Sequence, residues 1–317
     1  MATVLITGAR GFIGQHLSRR LFNDGHYVIG IGHGDWSQSE YSVAGLSDWF
    51  LGDLHPHLLL QIQEKYRPEY IFHLAGGSSV ASAVADPLAD FRRTVESTAH
   101  LLDWLRSYPH SIRLVAISSA AVYGAGFDGP IPESAPSSPF SPYGFHKSMM
   151  ESLCRSYIQT FGLDCRIVRL FSVYGQDLRK QLLWDICTRL AAGESPLLLG
   201  GSGNELRDWT SIDDVVDSLV SIAFHPESQL FKTPVNVGTG VGSSVRAVAK
   251  HVMDVWADCS SELFRPQLSF TGQSRPGDPF SLVADTSLLH RMGCSCNSDF
   301  SSPMRQYVHW FLKNCSA

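Results

Sequence analysis

Thr3-Val4-Leu5-Ile6-Thr7-Gly8-Ala9-Arg10-Gly11-Phe12-Ile13-Gly14 decides the fold of this 317-residue chain. Val4, Leu5 and Ile6 form a short apolar run, the pattern of a strand buried on both faces. Gly8, Gly11 and Gly14 then permit a tight turn. In Gln15-His16-Leu17-Ser18-Arg19-Arg20-Leu21-Phe22, Leu17 and Leu21 recur at helical spacing, and Asn23-Asp24-Gly25 ends that helix. Tyr27-Val28-Ile29-Gly30-Ile31 is a second strand. A glycine turn between strand and helix brings backbone close to a pyrophosphate and aims the helix N-terminus, with its unpaired N–H groups, at it. The stretch therefore predicts a dinucleotide site built from Gly8, Arg10, Gly11, Phe12, Ile13 and Gly14, with an ordinary structural turn as the alternative.

Working outward, further strands are expected at Tyr70–Leu74, Leu114–Ile117 and Cys165–Leu170, with helical stretches between them. Alternating strands and helices predict an α/β fold: a Rossmann-like, doubly wound parallel sheet covered on both faces. After about Gly175 the pattern loses regularity and Gly-, Pro- and Ser-rich loops appear. Residues 1–175 are expected to form the dinucleotide-binding domain, rejoined by part of 209–240, and residues 176–317 a smaller α+β substrate domain. The Pro/Ser-rich segment 127–142 is expected to be an ordered loop.

An acidic residue ending the second strand would hold the adenosine ribose hydroxyls and favour NAD. Here the strand runs into Gly32 and His33, and Arg10 lies inside the glycine turn. A neutral position beside a cation suits a 2′-phosphate, so NADP(H) is favoured over NAD(H), although Asp35 can still swing toward the ribose.

The strand after Leu114 ends in Ser118-Ser119, and Ser141-Pro142-Tyr143-Gly144-Phe145-His146-Lys147 opens a long helix. Tyr143 and Lys147 stand one turn apart on one helix face. A phenol has an ordinary pKa near 10; a neighbouring ammonium favours its ionised form. With a serine hydroxyl at the strand end, such a trio moves a proton while a nicotinamide moves a hydride. The alternative is an amphipathic surface pair.

Composition narrows the rest. The chain is 44% apolar and 17% charged, which is globular, and its net charge of −5, with no basic patch, argues against a nucleic-acid partner. No apolar run approaches the ~20 residues that span a bilayer. The seven cysteines include no Cys-x-x-Cys, and no export signal is evident, so reduced thiols in a cytoplasmic protein are expected. No metal site is expected; His55-Pro56-His57 lacks carboxylate or thiol partners.

The ordered motifs resemble the extended short-chain dehydrogenase/reductases, the nucleotide-sugar epimerase/dehydratase/reductase family, over nearly the whole length. They run Thr7-Gly8-x-x-Gly11-x-x-Gly14, Gly52-Asp53-Leu54, His73-Leu74-Ala75-Gly76, Ser118-Ser119-Ala120-Ala121-Val122-Tyr123-Gly124 and Tyr143-x-x-x-Lys147. Arg169–Gly175, Arg207–Asp214, Asn236-Val237-Gly238 and Arg275-Pro276-Gly277-Asp278 follow. The resemblance implies that Ser119, Tyr143 and Lys147 are catalytic and that Asp53 and Leu54 meet the adenine. It implies that Leu74, Ala75 and Gly76 line the cofactor, and that Ser78 and Ser79 lie in the loop meeting the nicotinamide and sugar. Arg207 and Arg275 would hold the nucleotide diphosphate; by residue type alone each is better read as paired to a nearby aspartate. Ser172 replaces a phosphate-contacting asparagine, and Thr94 opens Thr94-Val95-Glu96-Ser97-Thr98, where Asn-x-x-Gly-Thr is usual. Ala120 and Ala121 occupy the Asp-Glu positions of the dehydratases, so 4,6-dehydration is not expected.

The resemblance implies a nucleotide-diphosphate-sugar substrate and a homodimer formed through the stretches Phe91 to Arg106 and Lys147 to Phe161. Two reactions use the same trio. The NADP-favouring residues point to an NADPH-dependent reductase of a 4-keto-6-deoxy nucleotide sugar. The segment Arg275–Asp278 resembles an NAD-dependent nucleotide-sugar 4-epimerase. A non-catalytic dinucleotide-binding regulator is the remote third reading.

Overall fold

The computed structural model describes residues 1–108, 110–260, 266–273 and 279–315. Strand β1 (Thr3–Thr7) shows how the first core forms. Its side chains alternate in direction, so Val4 and Ile6 join one buried cluster with Leu17, Leu21, Val28 and Val115, while Leu5 joins another with Ile29, Ile71, Leu114 and Ile167. Strands β2 (Tyr27–Gly32), β3 (Asp48–Leu51), β4 (Tyr70–His73), β5 (Arg113–Ser119) and β6 (Asp164–Leu170) continue the sheet. A seventh strand, Val235–Val237, pairs with β6. The order is Val235–Val237, β6, β5, β4, β1, β2, β3, and every pairing is parallel. This is the doubly wound α/β sheet the sequence predicts. Strand order reverses between β1 and β4, and the glycine turn lies at that reversal, where open α/β sheets leave a crevice for ligands.

The five strands expected from apolar patterning are all present within a residue or three at each end. β3 carries no such pattern: Asp-Trp-Phe-Leu is a half-buried edge strand of four residues, too short and too exposed to show a period. Among the later elements, the helix Ile212–Phe224 returns to the first core through Val215, Leu219 and Ile222. Helices Gln181–Ala191, Val245–Cys259 and Ser301–Cys315 bury a separate cluster containing Leu183, Ile186, Val252, Trp256, Tyr307 and Phe311. A small sheet joins Ser172–Tyr174, Leu206–Ser211, Gly242–Ser244 and Ser281–Leu282. The segment 127–142 is fastened at Ile131, which donates its N–H to the Val283 carbonyl (2.8 Å) and accepts from the Asp285 N–H (3.0 Å).

Asp208 is a brace. Its fully buried carboxylate accepts from the backbone N–H groups of Thr239 (2.8 Å), Gly240 (2.9 Å) and Ala284 (3.1 Å). Those bonds join the loop after Val235–Val237 to the strand Leu206–Ser211, which carries Arg207.

No helix among the described residues is long and apolar enough to cross a membrane.

Candidate active site

One cavity of about 940 Å³ runs along the carboxyl ends of the central strands. At one end the turn after β1 bends through Gly8, whose φ of +69° only glycine adopts readily. The Gly8 N–H donates to the Ile31 carbonyl (2.8 Å) and the Gly11 N–H to the Gly8 carbonyl (2.9 Å). Helix α1 (Phe12–Asn23) starts there with no side-chain cap and no acid in its first turn. Its first N–H groups therefore offer positive potential to the cavity that Gly11, Phe12, Ile13 and Gly14 line. Gly14 sits so close beneath the turn that a Cβ would lie 2.5 Å from the Gly8 carbonyl oxygen and 2.7 Å from Ala9 Cα. Both are backbone atoms and cannot swing aside. This close cradle fits a dinucleotide pyrophosphate. Gly14→Ala is accordingly expected to lower dinucleotide affinity by at least ~10-fold, the loss of roughly one charge-assisted hydrogen bond; equilibrium binding of NAD by calorimetry measures it, and wild-type affinity would show that the cradle tolerates the methyl.

The adenine end differs from the picture of a neutral pocket. His33 Nε2 lies 3.0 Å from Asp53 Oδ1, and both side chains are largely exposed at the cavity rim. Arg10 donates to the His33 carbonyl (3.4 Å) and lies over the Trp36 ring. Gly32 leaves room for the Trp49 ring, 2.8 Å from where a Cβ would be. The sequence places no acid at the end of β2; the fold brings one there from beyond β3. Leu54, Leu74, Ala75 and Gly76 continue the wall. Beneath them His73 bridges the Thr7 and Thr98 hydroxyls (2.8 and 2.9 Å), and Thr7 Oγ1 accepts the Ala75 N–H (3.1 Å). Burial, reinforced by the nearby Lys147 charge, pushes His73 down to about 3, so it is a neutral structural bridge.

Ser119, Tyr143 and Lys147 line the same cavity. Ser119 ends β5. Ser141 caps the helix Pro142–Phe161 by accepting the Gly144 N–H (3.2 Å), and Pro142 occupies the first turn, where its missing N–H is harmless. That start places Tyr143 and Lys147 beside the strand end. Lys147 Nζ donates to the Ile117 carbonyl (2.9 Å). Burial pulls Lys147 down to about 8, against the upward effects of Asp90 and Glu151. Burial raises the Tyr143 phenol; a hydrogen bond with Ser119 lowers it and the Asp90 charge raises it further. Burial outweighs the acidifying contact, so the Ser119 hydrogen bond does not by itself yield a phenolate.

Ser78, Ser79, Ser172 and Arg207 face the same cavity. Arg275 lies outside the described residues. Three side chains that the sequence reading missed join them: Arg93, Lys180 and Gln181. Lys180 donates to the Ser78 carbonyl (3.2 Å), and its partial burial lowers its pKa. Nothing in its local sequence distinguishes it from a surface lysine. Thr94, at the position of the usual asparagine, lies in a π-helical turn, Arg92–Glu96, and accepts the Gly77 N–H (2.8 Å). Among the described lining residues the cationic side chains are Arg10, Arg93, Lys147, Lys180 and Arg207, and the only carboxylate is Asp53. A chain of net charge −5 thus presents a positive cavity.

Comparison with known proteins agrees with this layout. The sequence profile of the NAD dependent epimerase/dehydratase family matches residues 4–238. The chain is 33% identical over 282 residues to the UDP-glucose 4-epimerase of Mycolicibacterium smegmatis, covering 86% of this chain and 88% of that protein. It is 30% identical over 299 residues to the UDP-glucose 4-epimerase of Azospirillum brasilense, covering 89% and 83%. Among solved structures, MoeE5 in complex with UDP-glucose and NAD superimposes with a TM-score of 0.82 at 27% identity, covering 98% of this chain and 99% of that one. With its parallel sheet, its glycine cradle and its match over most of its length, this chain belongs to the NAD dependent epimerase/dehydratase family, enzymes of the extended short-chain dehydrogenase/reductase type.

Proposed function

We propose that the protein is a nucleotide-sugar 4-epimerase that holds NAD and acts on a UDP-hexose. The observation that carries this reading is the shared cavity: among its described lining residues are the glycine cradle, the trio Ser119, Tyr143 and Lys147, and an excess of cations. NAD and a UDP-sugar each carry a pyrophosphate, and the cations offset that combined charge. Bound NAD supplies a reversible two-electron acceptor. In its phenolate form, which the Lys147 ammonium and the positive charge of an oxidised nicotinamide favour together, Tyr143 would take the proton from the sugar 4-hydroxyl as that carbon is oxidised and return it after the sugar has turned. Ser119 hydrogen-bonds the same oxygen. Lys147, fixed by the Ile117 carbonyl, keeps positive potential near the phenol and the nicotinamide ribose. The cradle residues Gly8, Gly11, Phe12, Ile13 and Gly14, with Leu54, Leu74, Ala75 and Gly76, would hold NAD. Ser78, Ser79, Ser172 and Arg207 would hold the nucleotide sugar.

The UDP-sugar relatives support the epimerase over the NADPH-dependent reductase that the sequence alone favours. A physical reason accompanies the change. The reductase reading took the end of β2 as neutral, whereas the Asp53 carboxylate lies 3.0 Å from His33 there. Arg10 still offers a cation to a 2′-phosphate and is the observation that keeps the reductase as a second reading. Ala120 and Ala121 line the cavity where a dehydratase would place acid and base, so water loss has no proton donor at those positions. The exposed Phe91, Phe145, Met149 and Phe161 support the proposed homodimer through their helices.

The test is to identify the nucleotide that co-purifies and to incubate the protein with UDP-glucose and UDP-galactose. Interconversion of the two without added cofactor, with bound NAD, is the expected result. Stoichiometric consumption of NADPH by a 4-keto nucleotide sugar, with no interconversion, would establish the reductase instead. Inertness toward both, unchanged by Tyr143→Phe, would favour the regulator.

A further inference from the structure

A buried acid–base pair stands behind the trio and takes no part in the chemistry above. Asp90, in the short helix Pro87–Phe91, lies with Oδ2 2.5 Å from His146 Nδ1, and the two side chains are 4% and 11% exposed. His146 directly precedes Lys147 and follows Tyr143 by three residues, on the same turn. The Phe91 ring stands edge-on to the imidazole with centroids 5.6 Å apart. On its other side Asp90 meets Gly77 so closely that a Cβ there would lie 1.8 Å from Oδ1. Gly77 is tied in turn to Thr94 Oγ1. One carboxylate thus touches both the turn that carries Tyr143 and Lys147 and the loop, residues 76–79, that lines the same cavity.

We infer that Asp90, oriented by His146, is a positioning residue: it fixes the Tyr143–Lys147 turn against the loop of residues 76–79 and sets the electrostatic potential at both reactive groups. This rests on the roles proposed for Tyr143 and Lys147. A buried charge acts on its neighbours more strongly than an exposed one, because little water screens it. The groups acting on Tyr143 are Ser119 from β5 and Asp90. Those facing Lys147 are Asp90, Glu151, Cys154 and, from β4, His73. Beside burial, the Asp90 charge acts on both groups and favours the protonated form of each. Asp90 is also the group that no substrate atom needs to touch to have this effect.

The test titrates the Tyr143 phenol by its near-ultraviolet absorbance in the full chain, taking Tyr143→Phe as the baseline, so that no substrate is required. Asp90→Asn keeps the shape and removes the charge. In this variant the phenolate is expected to form at lower pH than in the wild type, with unchanged far-ultraviolet circular dichroism. Identical titrations in the two proteins would overturn the inference, even if turnover fell. Should Asp90→Asn fail to fold, the comparison moves to His146: His146→Asn keeps an N–H for Asp90, whereas His146→Leu does not. The Leu variant is expected to show a kcat about 10-fold or more below the Asn variant, with KM for the UDP-sugar within about twofold, as misplacement of a reacting group costs rate before binding. Equal kcat values would overturn the inference. A wild type inert toward UDP-sugars but with the shifted titrations would count against the epimerase reading alone.

Discussion

Tyr143→Phe is expected to lower the turnover of a UDP-hexose by about 10²–10⁴-fold, the usual contribution of a positioned general acid–base group. The ring, its packing and the helix start at Ser141 are all retained; only the oxygen that carries the proton is lost. Ser119 cannot take over, because a serine hydroxyl next to it has no comparable acidity and its oxygen already accepts the Ala121 N–H (3.2 Å). Dinucleotide content should stay at the wild-type level, since the cradle of Gly8, Gly11 and Gly14 is built from backbone that the phenol oxygen does not hold. Single-turnover reduction of the bound cofactor and steady-state interconversion together measure the effect. A variant with near-wild-type turnover would refute the role assigned to the phenol, and one that lost the cofactor would show that the residue is structural. The wild-type rate itself should decline as pH rises past about 8, where Lys147 gives up its charge.

Glu151→Ala is expected to destabilise the fold by about 3–5 kcal/mol, the range for removing one partner of a buried ion pair. The Glu151 and Arg169 side chains are 1% and 3% exposed, and the guanidinium grips the carboxylate through Nε (2.8 Å) and Nη2 (2.7 Å). Ser118 Oγ donates to the same carboxylate (2.7 Å), as does Arg155 (2.6 Å). Alanine leaves the Arg169 charge enclosed with only the Tyr123 ring, 4.6 Å away, and the Glu133 carbonyl for company. In a chain of this size that corresponds to a melting temperature lower by roughly 5–8 °C. Glu151→Gln, which keeps an acceptor, should fall between the wild type and alanine. Chemical denaturation with a shared slope is the measurement, and a loss below 1 kcal/mol for alanine would show that the guanidinium finds another partner. Ser118 and Lys147 adjoin this cluster, so the site depends on it without Glu151 touching a ligand.

Much of the molecule was legible before its structure. Val4 to Ile6, the glycines at 8, 11 and 14, and the spacing of Leu17 and Leu21 are local facts, and local backbone sterics turn them into strand, turn and helix wherever the chain lies. The four-residue interval from Tyr143 to Lys147 is equally local. The edge strand Asp48–Leu51 escaped because a half-exposed strand has no apolar period to display. Lys180 escaped because its partner, the Ser78 carbonyl, is 102 residues away.

The sequence by itself determined the sheet, the glycine cradle and the shared helix face of phenol and ammonium, since periodicity and backbone freedom act over a few residues. Only the tertiary structure decided that Asp53 supplies the carboxylate missing from the end of β2 and that Asp208 clasps a loop instead of pairing on the surface. It alone joined His146 to an aspartate 56 residues away. Those partnerships depend on the order in which distant strands are laid side by side, and burial then fixes the charge states that composition cannot reveal.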